Sequence, residues 1–133
     1  MKVSHQLEVR FRDIDSMGHV NNAVYLSYFE QARMAWFKEL VGEEWNWIDA
    51  GILVARHEID YKTPVSLKDN VVINTWCESL GTKSLVMAYE VVNDAGQTCT
   101  LGKTVIVCFD YSAKKTCAIP EEWRAKIKTL PEN

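Results

Sequence analysis

The sequence predicts an α+β domain in which an antiparallel sheet curves around one long helix. Three observations support this fold class. A helical pattern occupies residues 23–40 without interruption, four segments with the two-residue period of β-strands follow it, and short turns separate those segments. Because short turns join antiparallel neighbours, the four segments are predicted to form hairpins. The length of 133 residues suits a single domain over residues 1–133 with one core.

The chain begins with a predicted strand over residues 3–11, where apolar and polar side chains alternate. This alternation is typical of a half-buried strand. The residues on its apolar face are Val3, Leu7, Val9 and Phe11. His5 lies on the same face and is interpreted as a packed histidine rather than a catalytic one.

The long helix is predicted over residues 23–40, which contain neither Gly nor Pro. Asn21 or Asn22 is suited to cap its first turn, and Gly42 is suited to end it. At about 1.5 Å per residue, the helix would span about 27 Å. Its apolar residues form a stripe much wider than that of a normal amphipathic helix. We therefore expect a helix that is buried on most sides, with the sheet wrapped around it.

After a connector at residues 43–51, the two-residue period predicts strands at 52–61, 70–79, 84–92 and 98–111. Together with the first strand they make a five-stranded antiparallel sheet. A short helix over residues 120–127 begins with a proline, and its acidic residues precede its basic ones.

Composition and charge exclude several classes of function. The net charge of −3 and the lack of a basic cluster argue against nucleic acid or a membrane surface as partner. We find no secretory signal and no apolar stretch long enough to cross a bilayer, so a cytoplasmic protein is expected. The four cysteines form no C-x-x-C pair, which favours reduced, packed thiols and no metal site. They are Cys77, Cys99, Cys108 and Cys117.

Titratable side chains concentrate between the first strand and the long helix, in the segment Asp13-Ile14-Asp15-Ser16-Met17-Gly18-His19-Val20-Asn21-Asn22. A loop that rigid elements hold in place is a common position for catalytic side chains. The following helix start offers unpaired N–H groups that can bind a developing negative charge. A metal bound by Asp13, Asp15 and His19 is not expected, because no further ligand cluster accompanies them. The segment predicts an enzyme built around this loop.

Residues 13–30 read D-x-D-x-x-G-H-V-N-N-x-x-Y-x-x-Y-x-E. This motif and the order of elements resemble the hotdog-fold thioesterases of the 4-hydroxybenzoyl-CoA and acyl-CoA thioesterase type. Two later segments agree, and the resemblance covers almost the whole chain. They are Asp60-Tyr61-Lys62-Thr63-Pro64-Val65 and Ile119-Pro120-Glu121-Glu122-Trp123.

The resemblance implies a homodimer whose sheets join edge to edge, often paired again into a homotetramer. It also implies an acyl-CoA or acyl-carrier-protein thioester bound in a tunnel at the dimer interface. Coenzyme A then enters as part of the substrate, and no separate cofactor is expected. Acyl length, aromatic preference and the choice between CoA and carrier protein stay open.

Within the motif, the resemblance implies that Asp15 is the catalytic carboxylate, acting as general base or as nucleophile. Plant acyl-carrier-protein thioesterases have a similar stretch in which an Asn takes part in catalysis. Met17 occupies that position here, so an Asp-centred mechanism is expected. His19 is a second catalytic candidate that would orient water or substrate. Asn22 is a third, through the backbone amides at the helix start.

Six further residues are predicted to contact substrate: Gly18, Tyr25, Glu30, Tyr61, Lys83 and Ser84. Gly18 is expected to adopt a positive φ or to let the backbone approach closely. The alternative to substrate binding by Glu30 is an ion pair with Arg33. The alternative for the hairpin that contains Lys83 is a solvated turn. Two other functions stay open. A hotdog hydratase would need Glu30 to face His19, and a non-catalytic acyl-CoA-binding module would not need Asp15.

Overall fold

The computed structural model describes residues 1–129, which form one antiparallel sheet with a long helix on one face. The helices are α1 (Val24–Val41) and α2 (Glu121–Thr129). The strands are β1 (Lys2–Leu7), β2 (Gly51–Tyr61), β3 (Val71–Leu80), β4 (Ser84–Asn93), β5 (Thr98–Asp110) and β6 (Lys115–Thr116). The sheet order is β1-β3-β4-β5-β2, and the two-residue β6 also pairs with β5. The predicted α+β class, with five main strands and a long helix, is confirmed.

The first strand is shorter than predicted. β1 ends at Leu7, which pairs with the first residue of β3, Val71, so the ladder has no partner beyond that point. The chain instead forms a 3₁₀ turn at Phe11–Asp13, where the Asp13 carboxylate accepts a hydrogen bond from the Arg10 N–H. Phe11 is 83% exposed, so its assignment to the apolar face of a strand was wrong.

The helix α1 covers the predicted residues but is buried on one face only. The buried residues are Tyr25, Tyr28, Phe29, Ala32, Arg33, Trp36, Phe37 and Leu40. On its other sides Leu26 is 36% and Met34 is 43% exposed. The prediction of burial on most sides is therefore wrong for the single chain, because the five strands of one chain curve beneath the helix without closing around it.

The ends of α1 follow local backbone chemistry. Gly42 ends the helix as predicted, with a φ of 78° and its N–H bonded to the Lys38 carbonyl. Ala23 rather than Asn21 or Asn22 occupies the N-cap position. Asn21 still serves this end of the helix, because its side-chain oxygen accepts the Ala23 N–H at 2.9 Å.

Aromatic packing sets the distance between α1 and the sheet. Phe29 stacks on Tyr89 of β4 with ring centroids 4.3 Å apart. Gly102 of β5 lies against the Phe29 ring, and a Cβ atom at this position would clash with that ring. Gly102 therefore lets the helix approach the sheet closely. At the other end of α1, Trp45 and Trp47 pack against Trp123 of α2 and are partly buried against the core.

The two outer strands of the sheet are β1 and β2. β2 has 11 residues, and no strand among residues 1–129 lies beside its outer edge. Two apolar residues of this strand, Leu53 and Val54, are 41% and 44% exposed. Neither helix in the described residues is long and apolar enough to cross a membrane.

Candidate functional site

The predicted catalytic loop is a closed backbone structure. Ile14 and Val20 form an antiparallel bridge, and the Asp15 N–H donates to the His19 carbonyl at 2.8 Å. The Gly18 N–H donates back to the Asp15 carbonyl at 3.1 Å. This turn requires a φ of 82° at Gly18, a left-handed conformation that glycine adopts without strain. The conformational role predicted for Gly18 is therefore confirmed.

Asp13 anchors the loop to the helix. Its carboxylate is buried and accepts hydrogen bonds from the Tyr28 hydroxyl at 2.8 Å and from the Arg10 N–H at 2.9 Å. Its carbonyl accepts the Asn21 N–H at 2.8 Å. Burial and the neighbouring carboxylate raise the pKa of Tyr28, so this phenol remains a donor. Asp13 thus holds the loop in place through both its side chain and its backbone carbonyl.

Asp15 has a different environment from Asp13. Its side chain is exposed, and Oδ1 accepts two backbone hydrogen bonds, from Met17 at 2.9 Å and from His19 at 3.2 Å. Oδ2 forms no hydrogen bond within the described part of the chain. One oxygen is therefore fixed by the loop, and the other is available for chemistry.

The start of α1 offers fewer free donors than the sequence suggested. The Ala23 N–H donates to the Asn21 side chain, and the Val24 N–H donates to the Asn21 carbonyl at 3.0 Å. The Asn22 N–H has no hydrogen-bond partner among residues 1–129. Tyr61 fixes the same turn, since its hydroxyl donates to the Asn22 carbonyl at 2.8 Å. The Asn22 backbone N–H is therefore a donor that the described residues leave available to a substrate carbonyl.

A groove of about 390 Å³ brings five of the predicted site residues together: Asp15, His19, Asn22, Tyr25 and Tyr61. The rings of Tyr25 and Tyr61 meet edge to face, with centroids 5.3 Å apart, and form one wall. The segment 62–64 lines the groove as well. The sequence of this segment contributed only to the family resemblance. The segment directly follows Tyr61, a predicted site residue at the end of β2, and this adjacency is the signal that would have placed it at the site.

Three predicted substrate-binding residues lie elsewhere in the chain. The Glu30 side chain is 72% exposed on the open face of α1, 4.0 Å from Arg33. Glu30 does not line the groove that contains His19, so the arrangement that a hydratase would need is absent from this groove.

The hairpin with Lys83 and Ser84 lies near the opposite end of the sheet. Ser84 pairs with Val107, whereas Tyr61 pairs with Thr100. Seven residues of β5 correspond to about 23 Å. The α2 helix covers this hairpin, since Arg124 donates to the Gly81 carbonyl. In the single chain, Lys83 and Ser84 are therefore not part of the groove.

No group of three or more His, Cys, Asp or Glu side chains in the described residues is arranged to hold a metal ion. Asp13, Asp15 and His19, which the sequence brings close together, have separate roles. Asp13 is bonded to Tyr28, and Asp15 is bonded to the backbone of its own loop.

Comparisons with known proteins agree on one superfamily. A family model described as "Thioesterase-like superfamily" matches residues 9–127. Long-chain acyl-CoA thioesterase FadM of Escherichia coli K12 is 29% identical over 129 residues, which cover 94% of this chain and 96% of FadM. Putative acyl-CoA thioesterase YneP of Bacillus subtilis 168 is 30% identical over 112 residues, which cover 83% of this chain and 81% of YneP.

Solved structures of similar fold include a thioesterase from Thermus thermophilus complexed with coenzyme A and Zn. It is 36% identical with a TM-score of 0.83, and the match covers 94% of this chain and 90% of that one. A thioesterase-superfamily structure from a Jannaschia species is 26% identical with a TM-score of 0.89, and that match covers 98% and 94% of the two chains.

The anchor between the loop and the helix gives a stability prediction. Tyr28→Phe leaves the buried Asp13 carboxylate with one donor fewer, and we expect a loss of about 1.5–3 kcal/mol in the free energy of unfolding. Chemical denaturation monitored by tryptophan fluorescence measures this loss. Tyr111→Phe is the matched control, because that hydroxyl donates to the Ile52 carbonyl in an exposed position. Equal effects of the two substitutions would contradict the anchoring role.

Proposed function

The chain belongs to the thioesterase-like superfamily and has its hotdog fold, and on that premise we propose that it hydrolyses acyl-CoA thioesters to a carboxylic acid and a free thiol. The observation that carries this proposal is the environment of Asp15. Oδ1 accepts from two backbone amides, while Oδ2 and the Asn22 N–H have no hydrogen-bond partner within residues 1–129, and both residues line the same groove. These are the two groups that thioester hydrolysis needs, a positioned carboxylate and a donor for the carbonyl oxygen.

Two routes start from the free Asp15 oxygen. As a general base, Oδ2 takes a proton from water while the water oxygen attacks the thioester carbon. As a nucleophile, Oδ2 attacks that carbon itself and forms an anhydride, which water then hydrolyses. In both routes the Asn22 N–H stabilises negative charge on the carbonyl oxygen, and the carbon–sulfur bond then breaks. A thiol with a pKa of about 8.5 leaves as a thiolate with little help from an acid.

The remaining groove residues have supporting roles in this proposal. Tyr61 holds the Asn22 peptide through its hydroxyl, and Tyr25 packs against the Tyr61 ring. The His19 backbone positions the Asp15 carboxylate, and its imidazole lines the groove where it can orient water or substrate. The thioester carrier that we propose is coenzyme A, with acyl-carrier protein as the alternative, in the cytoplasm.

We further propose that the working unit is at least a homodimer joined through β2. Its unpaired edge and exposed apolar residues favour pairing with a second strand. Two copies of β2 related by a two-fold axis would run antiparallel, so the Gly51 end of one would lie beside the Tyr61 end of the other. The hairpin with Ser84 lies at the Gly51 end of β2, because Val107 of β5 pairs with Leu53 on one side and with Ser84 on the other.

This pairing would bring the partner's Lys83 and the partner's Ser84 toward the groove that contains Asp15. The hairpin residues that are remote within one chain would then be available to the carrier moiety of the thioester. We expect such dimers to pair again into a homotetramer.

Asp15 is tested by removing its charge while keeping its shape. We expect Asp15→Asn to lower kcat by roughly 10²–10⁴-fold with little change in KM, because neither route can start from an amide. Release of free thiol from acyl-CoA substrates, followed with a thiol-reactive dye, measures this. Asp94→Asn in the β4–β5 turn is the control and should retain normal turnover. Normal turnover by a folded Asp15→Asn protein would remove Asp15 from the mechanism.

The imidazole of His19 is expected to contribute less than Asp15. His19→Ala preserves the backbone N–H that fixes Asp15, so only the orienting effect of the side chain is lost. We expect a decrease in kcat/KM of about 10- to 10²-fold in the same thiol-release assay. His5→Ala on β1 serves as the control. A loss in His19→Ala as large as that of Asp15→Asn would instead make His19 a direct acid or base.

The dimer is tested at the exposed edge of the sheet. We expect light scattering to give at least twice the chain mass of 15.2 kDa for the wild type. Val54→Lys would place a charge in the proposed interface, so it should shift the mass toward the monomer and lower activity. Leu67→Lys is a matched control, because Val54 and Leu67 are both 44% exposed. A monomeric wild type with full activity would contradict the proposed assembly.

A further inference from the structure

Two of the four cysteines lie side by side at the end of the sheet where β6 joins β5. The β5–β6 ladder pairs Phe109 with Thr116, and the same register continued by one residue places Cys108 opposite Cys117. The Cys117 N–H donates to the Cys108 carbonyl at 3.0 Å. Because residues directly opposite each other in an antiparallel ladder have their side chains on the same face, the two thiols are neighbours.

The spacing of this pair suits a disulfide. In an antiparallel ladder, opposite residues joined by backbone hydrogen bonds have Cα atoms about 5.5 Å apart. Most disulfides join residues whose Cα atoms are about 5.5–6 Å apart. Both cysteines are free in the structure, and their thiols are close enough to share a hydrogen bond. A bond between the two sulfur atoms therefore needs little movement of the backbone.

The two thiols differ in their access to solvent. Cys108 is 1% exposed, whereas Cys117 is half-buried between the exposed residues Thr116 and Ala118. Burial and the adjacent Cys117 thiol raise the pKa of Cys108, so this side chain stays protonated. Cys117 is therefore the thiol that a reagent from solvent meets first, and Cys108 is a second thiol held beside it.

The other two cysteines are too far away to take part. Cys77 lies on β3, two strands from β5, which is at least about 9 Å. Cys99 lies on β5 itself, nine residues before Cys108, which is about 30 Å. Cysteines whose Cα atoms are more than about 7 Å apart cannot be bridged without movement of the backbone. Cys77 and Cys99 thus serve as internal controls for the adjacent pair.

The pair lies where the end of the chain crosses the β3–β4 hairpin. The Cys108 N–H donates to the Lys83 carbonyl at 2.8 Å, and the Ile119 N–H donates to the Thr82 carbonyl at 2.9 Å. The ladder that holds this crossing has only the two residues of β6. A covalent bond from β5 to Cys117 would fasten the crossing and would restrict the unfolded chain, which stabilises the folded state.

We propose that Cys108 and Cys117 form a modification site at which a peroxide produces a disulfide within one chain. The Cys117 thiolate attacks one peroxide oxygen, the O–O bond breaks, and hydroxide leaves and takes up the proton that Cys117 released. The sulfenic acid formed on Cys117 is then attacked by the Cys108 sulfur. The S–O bond breaks, and the second hydroxide leaves as water with the Cys108 proton. Two thiols are oxidised by two electrons in total, and the peroxide is reduced to water.

The disulfide is a reversible modification. Reduced thiols are the resting state in a reducing compartment, where a disulfide of this kind is transient. Attack by an external thiol on the half-buried Cys117 sulfur would open the bond through a mixed disulfide and restore both cysteines.

Mass spectrometry after treatment with hydrogen peroxide tests the modification. The wild type should lose the mass of two hydrogen atoms, and a peptide map without reductant should join Cys108 to Cys117. Dithiothreitol should restore the original mass. Cys117→Ser should prevent the loss, and Cys77→Ser, the matched control at another half-buried cysteine, should leave it unchanged. A wild type that gains oxygen at Cys117 without forming the bond would overturn the proposal, as would a disulfide that still forms in Cys117→Ser.

Chemical denaturation tests the effect on the fold. We expect the oxidised wild type to unfold at a urea concentration higher by about 1 M than the reduced wild type. Cys117→Ser should show no such shift after the same treatment, and its half-buried position makes it a milder change than one at Cys108. An oxidised wild type that unfolds at the same or a lower concentration would overturn the stabilising role. None of these measurements uses a thioester, so their outcome is independent of the proposed hydrolysis.

Discussion

The hydrogen bond between the buried Asp13 carboxylate and the Tyr28 hydroxyl is the contact on which the site depends. It joins the loop to the second turn of α1, and the Asp13 backbone also holds Asn21 at the helix start. The position of Asp15 two residues later and that of the Asn22 amide are both set relative to this anchor. A charged acceptor with a buried hydroxyl donor makes a stronger bond than a neutral pair, so the loop is fixed where water would otherwise compete.

The two carboxylates of the motif show how environment divides work between identical side chains. Asp13 is buried, and its neighbours supply donors from the 3₁₀ turn and from α1. Asp15 is exposed, and its loop donates to Oδ1 alone, just as both donors to Asp13 meet at Oδ2. Burial therefore separates the two side chains: the carboxylate removed from solvent is suited to structure, and the exposed one is suited to reaction. Ile14 lies between them in sequence and forms the bridge to Val20 that closes the loop.

Much of the fold could be predicted because it follows from local patterns. The helix at 23–40 and the four later strands agree with the structure to within a few residues, since periodicity and turn residues act over short distances. The end of β1 could not be predicted, because it depends on where its partner β3 begins. The number of free N–H donors at the helix start could not be predicted either, because Asn21 accepts two of them, one through its side chain and one through its carbonyl. Neither effect leaves a signature in apolar periodicity.

The error about the burial of α1 carries information of its own. Its apolar stripe is wider than that of a normal amphipathic helix, but one chain's sheet covers only part of it. Leu26 lies two turns before Arg33 on the same flank of α1, the flank that faces His57 of β2. The exposed Leu53 and Val54 lie on that same edge strand. Helix and strand thus leave apolar surface open on one side of the molecule, which a second copy paired through β2 would cover. The same side contains the Tyr61 wall of the groove, so the surface that assembly would bury adjoins the surface where the chemistry is proposed.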